Sequence, residues 1–314
     1  MEQIGAHLKA KLLVSGTVDV KVRLPVGYVC RDAAGPHGNR KSVFVKIGNH
    51  KVKLGVGRSN YSIVSRGKEY YLLESGREVC RVEFLKPVFH APEMAFFNLV
   101  PYCDYDCAFC NLPHGKQKEV PSVRYIELIR GNIDKIKSIA VTSGVSNVET
   151  CVKLTGKFLT EVKQFALPVG VEPFVSMHFQ IDYLKSCGAD EIKINLHSFD
   201  PNVLEKYCPA FKRNTFSLLE HAVKVFGEGK VCTNVLVGLG ENMENTIAGL
   251  EKLTEIGVLA NLRYVHGFAG MPPEKLLYLA KEYKKILINS NLKPVMKTMC
   301  LRCTACDIVP FVDI

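Results

Sequence analysis

The stretch Met94-Ala95-Phe96-Phe97-Asn98-Leu99-Val100-Pro101-Tyr102-Cys103-Asp104-Tyr105-Asp106-Cys107-Ala108-Phe109-Cys110 decides how the rest of the chain is read. It opens as an apolar run of strand length and ends in three cysteines spaced C-x3-C-x2-C. Three thiolates can hold three irons of a [4Fe–4S] cluster and leave the fourth iron open to a small molecule, much as an open position marks a catalytic zinc site. The same cysteines with His114 would make a Cys3His zinc site, and the triplet alone does not choose between the two.

Outward from this stretch, apolar runs alternate with amphipathic ones, the pattern of βα units around a parallel sheet. Strands are expected at 94–100, 138–143, 167–171, 191–196, 231–239 and 259–265. Helices are expected at 123–136, 148–166, 177–187, 202–226 with a break near Pro209, 243–256 and 273–288. The fold class is therefore α/β, a partial (βα)6 TIM-like barrel, two units short of the closed eight. In parallel barrels the chemistry sits at the C-terminal strand ends. Cys103 falls just after the first strand, where a cluster loop is useful and a zinc site has no reason to be.

Before the barrel, residues 8–90 read as a small N-terminal β domain. Short β-branched or aromatic runs at 14–22, 42–47, 51–56 and 70–73 are separated by turn-forming Gly-Asn and Arg-Gly-Lys pieces. The loop at 32–42 is rich in Gly with Arg and Lys, and reads equally as an anion-binding nest or a connector. The expected domains are 1–92, a basic β-rich unit; 93–290, the partial barrel; and 291–314, a cysteine-bearing tail.

The charge is uneven. Residues 1–90 carry sixteen Lys and Arg against seven Asp and Glu, whereas the rest carries twenty-five against twenty-four. A basic region of this kind attracts an acidic carrier protein, a nucleic acid or a phosphorylated ligand, or is simply a solvated face. No apolar run reaches 18 residues, so no membrane span is expected. The first ten residues lack the apolar core of a signal peptide, which points to the cytoplasm. Twelve cysteines in such a chain argue for metal ligation rather than disulfides.

The C-x3-C-x2-C loop with Phe109 before its last cysteine resembles the cluster loop of radical S-adenosylmethionine (radical SAM) enzymes. The resemblance extends over residues 94–290 and is greatest to the biotin synthase and lipoyl synthase branch, including an archaeal two-protein lipoyl synthase type. It implies that Cys103, Cys107 and Cys110 hold a [4Fe–4S] cluster and that SAM binds its open iron. SAM is then cleaved by one electron, from a reductant such as ferredoxin or flavodoxin, to a 5′-deoxyadenosyl radical that abstracts hydrogen. An anaerobic host follows from the oxygen sensitivity of such a cluster. Val141-Thr142-Ser143-Gly144-Val145 stands where the superfamily offers backbone carbonyls to SAM. Ile194-Asn195-Leu196-His197-Ser198 is similar to the Asn-Leu-Asp-Thr-Ser segment of biotin synthases. Val237-Gly238-Leu239-Gly240-Glu241 is similar to the end of their fifth strand. The implied SAM contacts are Tyr102, Ser143, Gly144, Asn195, His197, Gly238 and Gly240, with Phe109 packing beside the cluster and Arg213 pairing the SAM carboxylate. Glu172 ends the third strand, to anchor substrate or to pair with Lys193. Glu241 reads as structural or catalytic alike.

Cys300, Cys303 and Cys306 form C-x2-C-x2-C after the last helix. They read as ligands of a second [4Fe–4S] cluster, with zinc as the alternative and Asp307, Cys80 or Cys208 open as the fourth ligand. Biotin synthase itself carries its second set of cysteines on barrel strands, where only Cys232 matches here. Cys30, Cys151, Cys187 and Cys208 read as small buried apolar residues. The expected function is C–H activation with sulfur insertion, the auxiliary cluster being the sulfur source and the substrate riding on an acidic carrier protein or a partner protein. Radical rearrangement, methylation and metallocofactor maturation are the alternatives. A non-catalytic metal-knuckle protein that binds nucleic acid is the alternative from another class.

Overall fold

Two seven-stranded sheets carry the chain. A computed structural model describes residues 2–31, 41–115, 117, 118, 120–211 and 214–314. In the first sheet, β1 (Thr17–Val20), β2 (Val29–Arg31), β3 (Lys41–Ile47), β4 (His50–Val56), β5 (Tyr61–Arg66), β6 (Glu69–Glu74) and β7 (Arg77–Leu85) run in the order β2-β3-β4-β1-β5-β6-β7. Strand β7 returns to β3, with Phe44 opposite Leu85 and Val45 opposite Phe84, and so closes a small barrel. Closure leaves fewer open strand edges to pair with other chains. Its interior is the apolar set Val18, Val43, Val45, Val52, Leu54, Ile63 and Leu72, all fully buried.

One expectation fails here. The β-branched run predicted a strand over 14–22, but residues Glu2–Ser15 form a helix, α1, and the strand is confined to Thr17–Val20. The Ala, Leu and Lys content of this segment favours helix, and tertiary packing decides the rest, since α1 lies against β4 and against the last long helix of the second unit. The glycine-rich loop at 32–42 lies, from 32 to 40, outside the described residues.

The second sheet runs β14-β13-β12-β11-β10-β9-β8. A short antiparallel β8 (His90–Ala91) precedes six consecutive parallel strands: β9 (Met94–Asn98), β10 (Ser138–Thr142), β11 (Val169–Glu172), β12 (Glu191–Lys193), β13 (Val231–Val237) and β14 (Val258–Tyr264). The helices follow in turn as α2 (Ser122–Arg130), α3 (Val148–Val162), α4 (His178–Ser186), α5 (Pro201–Tyr207), α6 (Thr215–Phe226), α7 (Met243–Glu255) and α8 (Pro273–Ser290). This is the expected half-barrel, its six strands near the predicted places. The predicted 202–226 helix is broken, as expected, at Pro209, whose ring removes a backbone donor and clashes with the preceding turn. Tyr283 of α8 is fully buried, and its hydroxyl hydrogen-bonds the backbone N–H of Ala260 (2.8 Å), which ties α8 to β14.

A half-barrel has an open side, and the C-terminal tail fills it. After α8 the chain meets Glu191, at the start of β12. That carboxylate accepts hydrogen bonds from the backbone N–H groups of Lys297 (2.5 Å) and Thr298 (2.9 Å) and from the Thr298 hydroxyl (2.5 Å). The tail then forms α9 (Met299–Cys303), bridges the free edge of β14 at Leu262 and Ile308, and ends in α10 (Pro310–Asp313). Among the described residues no helix is long and apolar enough to cross a membrane.

Candidate active site

The loop after β9 carries the first cysteine triplet, and backbone hydrogen bonds hold it in place. The N–H of Cys103 donates to the carbonyl of Pro113 (3.0 Å), that of Cys110 to Cys107 (2.8 Å), and that of Ala108 to Tyr207 (2.8 Å) at the end of α5. The loop is strapped to the turn after β10. Asp104 N–H donates to Val145 O (2.7 Å), Gly144 N–H to Val100 O (2.8 Å), and Val145 N–H to the Cys103 sulfur (3.4 Å). Position 144 must be glycine, because a Cβ there would lie 1.8 Å from the carbonyl oxygen of Tyr102. Tyr102 itself is buried with Val100 and Cys151.

The three thiols are half-buried. The Cys107 thiol is pushed up to about 12, first by burial, then by the neighbouring thiols of Cys208, Cys110 and Cys103 and by Asp106. Thiols crowded in this way resist deprotonation until a cation joins them, which suits a site whose ligands are completed by metal. The apolar cluster of Phe109, Leu204, Leu236, Leu239 and Val265 packs against Cys107 and Cys110 and keeps water from that side. The residues present therefore fit a cubane cluster. His114 instead faces Asp106 across 3.5 Å and is largely exposed. Among the described residues no three His, Cys, Asp or Glu side chains converge as they would on a single metal ion.

Phe109 meets the ring of His197 edge-on at 5.0 Å, and Phe211 meets the same ring at 4.2 Å. His197 sits at φ +69, a region that few residues other than Gly, Asn, Asp and His enter. Its N–H bonds Asn234 O and its carbonyl accepts from Leu236 N–H, so it is stitched to β13. Gly238 and Gly240 both lie at φ +97, and the Glu241 carboxylate accepts from the N–H groups of Gly238 and Leu239 (2.8 Å each). Glu241 thus fixes the turn at the end of β13. Ser143 and Gly144 follow β10, beside the cysteine loop. Arg213 lies outside the described residues.

Inside the barrel the polar side chains form one network. The Glu172 carboxylate accepts from Lys193 (2.7 Å), Asn195 (2.9 Å) and Asn234 (3.4 Å). Asn234 also donates to Asn195 (2.9 Å), and Asn261 donates to Asn234 (3.2 Å). Of its two readings, Glu172 therefore takes the ion pair with Lys193. The Asn195 amide, expected to meet SAM, already spends one of its two N–H donors and one oxygen lone pair within this network.

Lys193 leads to the second triplet. Its ammonium donates to the Cys300 sulfur at 3.2 Å, and the Arg263 guanidinium donates to the same sulfur at 3.2 Å. Arg263 also grips Asp307 bidentately, at 2.7 and 2.8 Å. Burial works against both cations, but Cys300 with Glu172 holds Lys193, and Asp307 with Cys300 holds Arg263, above their ordinary values. Burial also raises the Cys303 thiol, and it pushes that of Cys306 up to about 12; Lys53 opposes it at both, Lys51 at Cys303 and Arg263 at Cys306. Of the three fourth-ligand candidates, Cys208 is corrected: it is buried beside Cys107 in the cluster of the first triplet. Asp307 is occupied by Arg263, and Cys80 stands on β7 opposite Leu72. Cys151, like Cys208, is buried as expected, whereas Cys30 and Cys187 are only half-buried.

Sequence reading missed Lys193, Cys232 and Arg263 as neighbours of the second triplet. Cys232 is fully buried on β13, and burial raises its thiol far above the ordinary value while Lys193 opposes and Cys300 adds to the rise. A charged residue inside a parallel strand was the available signal, since such strands normally read as near-continuous apolar runs.

Comparison with known proteins agrees with this geometry. Residues 97–253 match the model of the radical SAM superfamily. A biotin synthase of Renibacterium salmoninarum is 25% identical over 169 residues, which are 49% of this chain and 48% of that protein. The chain thus spans about half the length of the curated relative it matches. Among solved structures, the FeFe-hydrogenase maturase HydG of Carboxydothermus hydrogenoformans superposes with a TM-score of 0.52 at 12% identity, over 63% of this chain and 52% of that one. SuiB of Streptococcus suis gives 0.50 at 14%, over 65% and 48%. These two likenesses establish the shared half-barrel fold.

Proposed function

This chain belongs to the radical SAM superfamily and is an enzyme of that class, and from that footing we propose that it activates a C–H bond for sulfur insertion. Membership sets aside the non-catalytic nucleic-acid reading. In the proposal Cys103, Cys107 and Cys110 hold a [4Fe–4S] cluster. When bound, that cluster supplies the electron that cleaves SAM to methionine and the hydrogen-abstracting 5′-deoxyadenosyl radical. This chain's own residues do the positioning. Phe109 and His197 wall the cluster loop on the side of β13, Gly144 lets the loop and the β10 turn approach, and Glu241 holds the Gly238–Gly240 turn open. Ser143, Asn195 and Tyr102 complete the proposed SAM contacts, with Arg213 on the carboxylate. Ferredoxin or flavodoxin is the proposed reductant.

Sulfur insertion rests on one observation: the second triplet lies within the same barrel. Cys300 is hydrogen-bonded to Lys193, and Lys193 to Glu172 at the C-terminal end of β11. A second [4Fe–4S] cluster on Cys300, Cys303 and Cys306 would stand at the other end of this column as the sulfur source. The substrate is proposed to arrive at the C-terminal strand ends, on a carrier or partner protein.

The test uses protein reconstituted anaerobically with iron and sulfide, then given SAM and dithionite. 5′-Deoxyadenosine is measured by mass spectrometry and acid-labile sulfide by colorimetry. Replacing Cys300, Cys303 and Cys306 together by Ala is expected to preserve nucleoside formation while removing one cubane's worth of bound sulfide, the store from which a substrate would draw its sulfur. Bound sulfide equal to that of the wild type in that variant would sink the sulfur-donor reading.

A further inference from the structure

Besides the packing of α1 on α8, the N-terminal unit meets the half-barrel beside the first cysteine triplet. The contact is made by the loop 265–272, which joins β14 to α8. Val265 is buried in the same apolar cluster as Phe109, Leu236 and Leu239, and Phe268 packs against that cluster and meets the Tyr207 ring edge-on at 5.1 Å. The loop also closes on the turn after β13. Val265 N–H donates to Val237 O (2.9 Å) and Gly270 N–H to Gly238 O (2.9 Å), and a Cβ at Gly238 would lie 3.2 Å from both the Tyr264 ring and Val265 O. Two residues of the loop, Gly267 and Gly270, sit at positive φ, +86 and +79. Glycine loses more conformational freedom on ordering than any other residue, so the position of this loop depends on what it is docked against.

The same loop is docked against the N-terminal unit. His266 lies over Gly16, which joins α1 to β1: a Cβ at Gly16 would be 2.4 Å from the imidazole Cε1, 2.6 Å from Nε2 and 3.0 Å from Nδ1. Gly16 is itself fixed. It sits at φ +68, its N–H donates to Leu12 O (2.8 Å) in the last turn of α1, and its carbonyl accepts from Gly55 N–H (2.9 Å) on β4. The His266 ring in turn meets the Tyr264 ring edge-on at 4.8 Å. A bare α-carbon, an imidazole and a tyrosine ring thus lead from the N-terminal barrel to the glycine turn after β13.

We propose that the N-terminal unit braces the SAM site: Gly16, acting through His266, positions the 265–272 loop and with it the Gly238–Gly240 turn. The proposal rests on the reading of Gly238 and Gly240 as SAM contacts. His266 is a positioning residue, and any side chain at position 16 would push its imidazole away. Close-packed protein transmits such a displacement rather than absorbing it, and a misplacement of about 1 Å that starts far from the chemistry is felt at a binding site.

The full chain, reconstituted anaerobically and reduced with dithionite, is titrated with SAM. The dissociation constant is read from the change that SAM makes in the EPR signal lost in Cys103→Ala, with iron content and chemical denaturation measured alongside. At wild-type iron content, Gly16→Ala and His266→Ala are each expected to weaken SAM binding several-fold. Gly16→Ala is also expected to lose stability, because a positive φ disfavours Ala. In the double variant the added Cβ no longer meets a ring, so SAM binding is expected to match that of His266→Ala alone; residues in contact couple in this way and independent ones do not. His266→Ala carries the test if Gly16→Ala does not fold. Wild-type SAM affinity in either folded single variant, or losses that add in the double variant, would overturn the proposal. No effect of SAM on the wild-type signal would overturn the reading of the first site, and this proposal with it.

Discussion

The two cysteine triplets lie on different segments of the chain and are built in opposite ways. The first lies on a loop at the C-terminal strand ends, where the Cys107 thiol is shifted by burial, three other thiols and Asp106. The second comes in from the tail, and its Cys300 sulfur accepts hydrogen bonds from Lys193 and Arg263. A sulfur held by two fixed cations suits an anion that stays. A site of crowded thiols suits a metal cluster with an exchangeable ligand that brings its own charge. Residue spacing alone, C-x3-C-x2-C against C-x2-C-x2-C, therefore says less about a site's task than the charges folded around it.

The comparison breaks most sharply at the ligands. Cys103→Ala is expected to reduce 5′-deoxyadenosine formation to background, while Cys300→Ala leaves it intact; loss in both, measured on equally iron-loaded protein, would merge the two sites into one. Next is Arg263→Ala, which strands Asp307 and Cys300 in the interior. Removing one partner of a buried pair costs about 3–5 kcal/mol, to be read by chemical denaturation. Glycines give a matched pair. Gly144→Ala puts a Cβ 1.8 Å from the Tyr102 carbonyl, and Gly170→Ala puts one 2.0 Å from the Thr298 hydroxyl and 2.9 Å from the Met299 terminal methyl. Overpacking costs about 1–3 kcal/mol. The Gly144 change is expected at the upper end, because backbone cannot swing aside, and to lower iron at the first site. The Gly170 change is expected to be milder and to lower iron at the second.

How far the sequence revealed this depends on the range of the interaction. The six parallel strands were legible because each is a short apolar run between helical patterns, and Cys103 marked the end of the first. Helix α1 was not, because Val14 and the β-branched residues after Ser15 blur a boundary that packing on α8 and β4 decides. The first triplet was legible because its ligands are neighbours in sequence. The surroundings of the second were not: Lys193, Arg263 and Cys300 meet only once the tail has crossed the open side of the half-barrel. The Asn195–Asn234–Asn261 ladder, which engages the amide expected to contact SAM, has the same long-range origin.

The smallest expected effect concerns how the tail is docked. Burial raises the pKa of Glu191 above its ordinary value, against the hydrogen bonds from Thr298 and Lys297. A carboxyl raised by folding stabilises the fold at low pH and loses that contribution as pH rises from the ordinary carboxylate range through the raised folded value. Wild type is therefore expected to lose stability across a window beginning near 4.5, relative to Glu191→Gln, in thermal unfolding followed against pH. Parallel pH profiles for the two proteins would contradict this.

EPR of the dithionite-reduced protein with and without SAM separates the two proposed clusters. The expected result is two [4Fe–4S] signals, of which SAM perturbs only the one lost in Cys103→Ala. A single signal, or SAM perturbation of the signal lost in Cys300→Ala, would contradict the two-cluster proposal.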